Sequence, residues 1–459
     1  MPKKKTALTI EERLQQALVP ADEQPYEVPE NWVWVRLGSL YEVNPKNKAA
    51  DELDAAFIPM EKISAGMLSE YSYETQEWCK AKKGHTQFAD GDVAFAKISP
   101  CFENRKSMML NNLPNSIGGG TTELIILRNA SINQKYTFWL VSDERFIRGG
   151  VQTYSGTVGQ QRINMDYVRS YPIPLPPLSE QQRIVERIEE LFAKLDEAKE
   201  RLQEVADSFA VRKAAILHKA FTGELTKQWR RENGVRDESW EEKTLQDVCS
   251  MKITDGTHKT PVYCDSEKGV KFLSAKDITA EKICWDNIKY IVPELHEELY
   301  KRLAPQVDDV LLAKNGTTGV AAIVETDDIF DIYVTLAVLR PEKSIIYPLY
   351  LLKVVNSPLC KEQFAQHLTG IGVPNLHLRD IKEVLIPLPT IPEQHEIVRL
   401  IDDLLARERS AQQATEQALA SIDLMKKSIL ARAFRGELGT NKASEASALE
   451  LLKQVLAEN

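Results

Sequence analysis

Apolar side chains fall at Ile184, Ile188, Leu191, Leu195, Ala198, Leu202, Val205 and Phe209, in alternating steps of four and three, and Ile216 keeps the register. A period of 3.5 held over so many turns predicts a long helix with a coiled-coil seam. Ser179-x-x-Gln182 after a proline run reads as its capping box, and Gly223 as its stop. A second such stretch opens at Thr390-x-x-Glu393, with Pro392 between. Its seam is Ile397, Ile401, Leu404, Ala411, Ala418, Ile422, Met425 and Ile429, interrupted by Glu408 and Thr415. The helices are expected over residues 179–218 and 392–431, each roughly 60 Å long. One helix of that length cannot bury its own stripe. The two are therefore expected to pair antiparallel and hold two blocks apart, rather than each packing on its own block.

The helical stretches belong to a repeat. Ile173-Pro174-Leu175-Pro176, Glu180-Gln181 and Ile184-Val185 recur as Ile386-Pro387-Leu388-Pro389, Glu393-Gln394 and Ile397-Val398. Ala220-Phe221 and Gly223-Glu224-Leu225 recur as Ala433-Phe434 and Gly436-Glu437-Leu438, at a constant offset of 213 positions. Two copies at this period are a duplicated unit, not a solenoid.

Between the helical stretches, short alternating runs and turn signals predict mixed α/β blocks. In the first, Asp92 to Ala96 and Glu123 to Leu127 read as strands, Gly118-Gly119-Gly120 as a connection between strands, and Tyr136 to Arg148 as helical. The second repeats this loosely. Trp32 and Leu37 match Trp240 and Leu245; Asp92 and Lys97 match Asp309 and Lys314; Arg128 matches Arg340, and Gly156 matches Gly370. The blocks have drifted further than the helices, which suggests a fixed frame carrying variable readers. Residues 12–20 also resemble 450–458, as if the two ends shared one structural role. The expected organisation is a helical extension (1–25), a first block (26–175), a central helical region (176–228), a second block (239–388), a C-terminal helical region (389–440) and a helical tail (441–459).

Composition changes this little. The 459 residues are 43% hydrophobic and 27% charged, as in ordinary soluble domains. No apolar run reaches the length of a membrane span, and the basic start leads into no apolar signal core, so a cytoplasmic location and no membrane contact are expected. Six scattered cysteines form no C-x-x-C pair and suggest free thiols. The net charge of −9 stands against a simple nucleic-acid binder, although local patches matter more than the sum. Phosphate-binding glycine loops, G-x-S-x-G, H-E-x-x-H and the (N/D)-P-P-(Y/F) pattern of amino-methyltransferases are absent. That opposes a self-contained methyltransferase or nuclease, and the scattered histidines oppose a metal site.

What remains is loop chemistry suited to DNA. The first block offers Lys97, Ser99, Asn104, Arg105, Lys106, Thr121, Gln160, Gln161 and Arg162. The second offers Thr254, Thr257, His258, Lys259, Lys314, Asn315, Thr317, Asn375 and His377. Arg matches guanine, Asn and Gln match adenine, and Lys and Thr serve phosphates. Such loops are also what ordinary solvated turns look like; the duplication favours the reading of DNA.

The paired P-L-P-(P/T)-x-x-E-Q-x-x-I-V stretches (Pro174 to Val185, Pro387 to Val398) and the A-F-x-G-E-L stretches (Ala220 to Leu225, Ala433 to Leu438) resemble the conserved regions of Type I restriction–modification specificity subunits. Tyr26 to Trp32 resembles the opening of a target-recognition domain in that family, and Thr254 to Pro261 is similar to a segment near the start of many such domains. The resemblance implies an α+β fold: two pseudo-two-fold-related α/β target-recognition domains joined by two long antiparallel coiled-coil helices. It implies a chain without catalysis, double-stranded DNA as ligand, and two methyltransferase subunits plus restriction/translocase subunits as partners. It places S-adenosylmethionine, ATP and magnesium on those partners and none on this chain. A structural coiled-coil scaffold without DNA is the other class; two large α/β blocks oppose it.

Overall fold

The computed structural model describes residues 9–236, 239–279, 281–367 and 375–458. The chain divides into two units, one of residues 1–202 with 418–459, the other of 203–417.

In the first unit, Val33–Arg36 pairs antiparallel with Pro172–Leu175. The repeated proline phrase is thus a closing strand. Its prolines alternate, so the N–H groups of Ile173 and Leu175 stay free for the ladder while the missing donors face away. One four-stranded antiparallel sheet has the order Glu42–Val43, Leu124–Arg128, Val93–Ala96, Ser107–Met109. A second sheet has the order Glu74–Glu77, Asp54–Ile58, Ile117–Gly120, Thr86–Ala89, with its two central strands parallel. Gly118-Gly119-Gly120 is therefore a buried central strand and not a connection. A Cβ on Gly119 would sit 2.0 Å from Ala81 O, and one on Gly118 2.2 Å from the Phe88 ring. Gly119→Ala should destabilise the first unit by about 1–3 kcal/mol, as overpacking does; unchanged thermal unfolding would contradict this close packing. The expected helix at 136–148 is two helices, Gln134–Ser142 and Glu144–Gln152, divided at Asp143, whose carboxylate caps the second.

The second unit keeps the plan. Glu241–Thr244 pairs with Leu385–Leu388. Its antiparallel sheet runs Thr254–Asp255, Leu336–Leu339, Val310–Ala313, Ala321–Ile323, and its second, three-stranded sheet Lys289–Ile291, Val270–Leu273, Phe330–Ile332, where the last two strands are again parallel. Both units also keep one forked ion pair at matching positions. Arg128 grips Asp92 at 2.7 and 2.7 Å, and Arg340 grips Asp309 at 2.8 and 2.7 Å. The carboxylates are buried, so a bidentate partner is what makes them tolerable there.

The helices span Leu178–Phe221 and Ile391–Ala433, close to expectation. In the first unit Ile184, Val185, Ile188 and Phe192 of the first helix share a core with Leu430, Ala433 and Phe434 at the end of the second. In the second unit Leu217, Ala220 and Phe221 share a core with Ile397, Val398, Ile401 and Leu405. Each helix starts on its own block and ends on the other block, and within each unit the two run antiparallel. Phe434 meets Tyr136 edge-on at 5.5 Å, and Phe221 meets Tyr350 at 5.6 Å. Those tyrosines donate to Pro174 O (2.7 Å) and Pro387 O (2.8 Å). Burial pushes both phenols well above their usual range, so they remain donors.

The repeated Glu-Gln is explained the same way. Gln181 donates to Pro176 O (3.0 Å) and accepts from Asn133 N (3.0 Å). Gln394 donates to Pro389 O (2.8 Å) and accepts from Tyr347 N (2.7 Å). Glu180 and Glu393 are fully buried. Glu180 accepts from Trp32 Nε1 (2.7 Å) and Asn441 Nδ2 (2.9 Å); Glu393 accepts from Thr226 Oγ1 (2.6 Å) and Arg230 Nη1 (2.7 Å). Glu393 is thus an interior anchor rather than the capping-box partner expected of it.

The seam departs from the expected list at its polar positions. Met425 is 50% exposed and Val205 40%. Lys426 takes the place expected of Met425: it bonds Asp196 at 2.5 Å and lies 5.0 Å from the Phe192 ring centroid. Thr415 is buried, and Glu408 pairs with Arg212 at 2.9 Å, so the two residues read as interruptions line the seam. Leu404 is only partly buried, with Leu405 beside it in the core. Apolar character alone misplaced the stripe where an aliphatic Lys stem or a paired Glu fills a seam position. Ile184, Ile188, Phe209, Ile397, Ile401 and Ile422 are buried, while Leu191, Leu195, Leu202 and Ile429 are partly buried. The end segments that looked alike are neighbours rather than equivalents. Helix Ile10–Ala17 packs with Ala448–Glu458 in the first unit, where Arg13 Nη1 donates to Leu456 O (2.9 Å).

Candidate nucleic-acid interface

Three connections of the first block meet. Strand Val93–Ala96 leads into loop 97–106, strand Ile117–Gly120 into loop 121–123, and helix Glu144–Gln152 into loop 153–164. Backbone bonds tie them: Ser99 N to Gln161 O (2.8 Å), Ile163 N to Lys97 O (3.0 Å) and Lys97 N to Glu123 O (2.8 Å). Arg162 forks onto Glu123 at 2.9 and 2.8 Å and donates to Gln160 O (2.8 Å). Thr121 Oγ1 accepts from Glu123 N (3.2 Å), and Ser99 Oγ donates to Glu103 (2.9 Å). The structure so brings Lys97, Ser99, Thr121, Gln160, Gln161 and Arg162 together, with Asn104 exposed at the far end of its loop. Glu123 and Glu103 were not foreseen, because a search for donors overlooks the acids that orient them.

Two expected contacts turn inward. Arg105 is 12% exposed, donates to Ser142 O (3.0 Å) at a helix end and pairs with Glu144. Lys106 Nζ donates to Met60 O (2.9 Å). Both are satisfied by the fold, which leaves Arg105 in particular no reach to a ligand.

In the second block, the Lys314 carbonyl accepts from Leu376 N (3.0 Å), and Asn315 bridges to Asn375. Lys314 itself is 8% exposed and bonds buried Asp255 at 2.5 Å. Thr257 is buried too, its hydroxyl accepting from Lys259 N (3.1 Å). These two therefore build the loop rather than face outward. Gly256, between Asp255 and Thr257, is required: a Cβ there would lie 2.1 Å from Ile332 O. His258, Lys259, Thr317 and His377 are exposed, and Thr254 is partly buried. His258 stands 3.3 Å from Asp255, Thr317 donates to Ala275 O (3.2 Å), and Lys259 pairs with Glu298 at 2.7 Å. The Lys259 pair is exposed on both sides and worth little, so an anion can displace Glu298. Gly370, the match to Gly156, lies outside the described residues.

Beside Asn315 and Gly316 opens a cleft of about 350 Å³ lined also by Tyr263, Phe272, Lys276 and Lys289. Lys289 Nζ sits 4.1 Å from the Tyr263 ring centroid. A cation over an aromatic face suits a nucleic-acid backbone and base. Sequence reading missed this cleft because its residues come from distant strands with no local spacing to betray them.

The cations of these loops carry their own acids: Arg162 with Glu123, Lys314 with Asp255, Lys259 with Glu298. An acidic total is therefore compatible with organised basic loops. Lys314→Ala should cost the second unit about 3–5 kcal/mol by taking from buried Asp255 its buried cation, whereas Lys259→Ala should leave stability unchanged. Equal denaturation midpoints for the two variants would show that Lys314 is not a buried anchor. Among the described residues no group of three or more His, Cys, Asp or Glu could hold a metal ion, and no helix is long and apolar enough to cross a membrane.

A family model described as the Type I restriction modification DNA specificity domain matches residues 29–207 and 237–419. The chain is 40% identical over 182 residues to the Type I restriction enzyme EcoAI specificity subunit of Escherichia coli, covering 39% of this chain and 31% of that protein. It is 30% identical over 304 residues to the E. coli EcoBI specificity subunit, covering 62% and 64%. The matches thus span less than two thirds of these relatives' own length. The HsdS subunit from Thermoanaerobacter tengcongensis has the same fold, with a TM-score of 0.65 at 20% identity over 90% of this chain and 99% of that one. Each copy of the duplicated unit carries one of the two family matches, and the chain belongs to the family of Type I restriction–modification DNA specificity subunits.

Proposed function

We propose that this chain is the non-catalytic, sequence-reading subunit of a Type I restriction–modification complex. It reads a split, asymmetric target in double-stranded DNA, one half-site per block, and scaffolds two methyltransferase subunits and restriction/translocase subunits. S-adenosylmethionine, ATP and magnesium belong to those partners. The observation that supports this best is the pairing of one strand order with two different loop sets. A duplicated frame with unlike loops suits two unlike half-sites. The exposed loop residues, among them Gln160, His258 and Lys259, are the ones assigned to DNA. Lys97, Asn104 and Asn315 flank them. The rival classes, a self-contained methyltransferase or nuclease and a scaffold without DNA, draw no support from any residue constellation above. Methylome sequencing of a host carrying the complex tests the reading. Two short defined sequences of different composition around an unspecified spacer are expected. A contiguous or palindromic motif would overturn it.

A further inference from the structure

Val158 stands at the tip of loop 153–164 with 90% of its surface exposed; among the described residues no other large apolar side chain exceeds 70%. A lone exposed valine signifies nothing by itself. Its setting does. Gly156 (φ +109°) and Gly159 (φ +83°) make the turn, and a turn made by glycines has no use for a β-branched tip. The loop under Val158 is nonetheless fastened. Ser155 and Arg162 exchange backbone bonds of 3.1 and 2.9 Å, Gln160 N reaches Thr157 O at 2.9 Å, and the Arg162 fork on Glu123 holds the base. A fixed loop thus presents an isopropyl group to solvent, two residues from the exposed amide of Gln160.

We propose that Val158 reads a thymine. The thymine 5-methyl is an apolar mark on a base edge in the major groove, and the Gln amide is the complement of adenine N6 and N7. Val158 covers that methyl, and Gln160 takes an adenine of the same half-site. The first block therefore reads at least one A·T pair. Arg162, tied to Glu123 and Gln160, positions this loop and does not itself read guanine.

This inference rests on the proposed reading of DNA, and its test separates the two. The full chain is assembled with its methyltransferase partner and given duplexes in which one thymine at a time is replaced by deoxyuridine, in both half-sites. At one position of one half-site, loss of the methyl should lower kcat/KM for methylation about three- to five-fold, the worth of one buried methyl group. Val158→Ala should lower the rate on the thymine duplex by a similar factor. It should also erase the further effect of uracil at that position, while responses in the other half-site persist. An unchanged melting temperature of Val158→Ala checks that the loop alone was altered. Uracil neutral at every position, a uracil penalty unchanged by Val158→Ala, or a first half-site without A·T pairs overturns the inference and leaves the split-site reading standing. Failure of the wild-type complex to methylate any split target overturns the reading itself.

Discussion

Arg230→Met is expected to destabilise the second unit by about 3–5 kcal/mol, a loss as large as that foreseen for Lys314→Ala. Glu393 is fully buried and Arg230 only 7% exposed, so the guanidinium is the counter-charge in that interior. Thr226 alone, at 2.6 Å, supplies one hydrogen bond and no charge. Methionine keeps much of the volume but leaves a bare carboxylate out of water. Adding Glu393→Met should recover most of the loss, because removing both charges is far milder than stranding one. Denaturant unfolding of the wild type, the single variant and the double variant measures this. A single variant within 1 kcal/mol of wild type, or a double variant no better than the single, would show that the pair does not act as a buried charge couple.

The second large effect concerns target spacing. The chain passes from one unit to the other at 202–203 and 417–418, both inside the long helices. Four residues inserted after Leu202 and four after Gln417 add roughly 6 Å to each helix, close to one turn, so the seam faces are nearly kept. At 3.4 Å per base pair along a strand, the spacer should lengthen by one or two base pairs with both half-sites intact. Methylation of the original target should fall to background while the longer target becomes a substrate. An active complex that still methylates only the original spacing would mean the helices do not set it.

Much of the fold was legible because it is periodic or repeated. The step of 3.5 located both long helices to within a few residues, and the matched phrases located the duplication, although not the closing strands those phrases form. What escaped is what periodicity cannot encode. Lys426 and Thr415 occupy seam positions as polar residues, through an aliphatic stem over Phe192 and through burial. Gly118 to Gly120 read as a connection because glycine usually marks one; here its lack of a side chain admits Phe88 and Ala81. At the candidate site the loops were found but the roles within them were not. Arg105 and Lys314 look like Arg162 and Lys259 in sequence, and only the three-dimensional position of Glu144 and Asp255 turns the first two inward. The aromatic cleft of Tyr263 and Lys289 draws on strands brought together by the sheet, a relation no local window contains.

The interlocked cores also set an order of birth. The first block emerges from the ribosome first, yet its core needs Leu430, Phe434, Leu452 and Val455 from the end of the chain. The second unit, residues 203–417, is contiguous and needs nothing made later. At translation rates of ~5–20 residues per second, the first block waits roughly 10–50 s for its closing segment. During that interval Tyr136, Ile184 and Ile188 lack their covering partners. The half of the protein made earliest is thus the half finished last, and the one most dependent on protection while the chain is being synthesised.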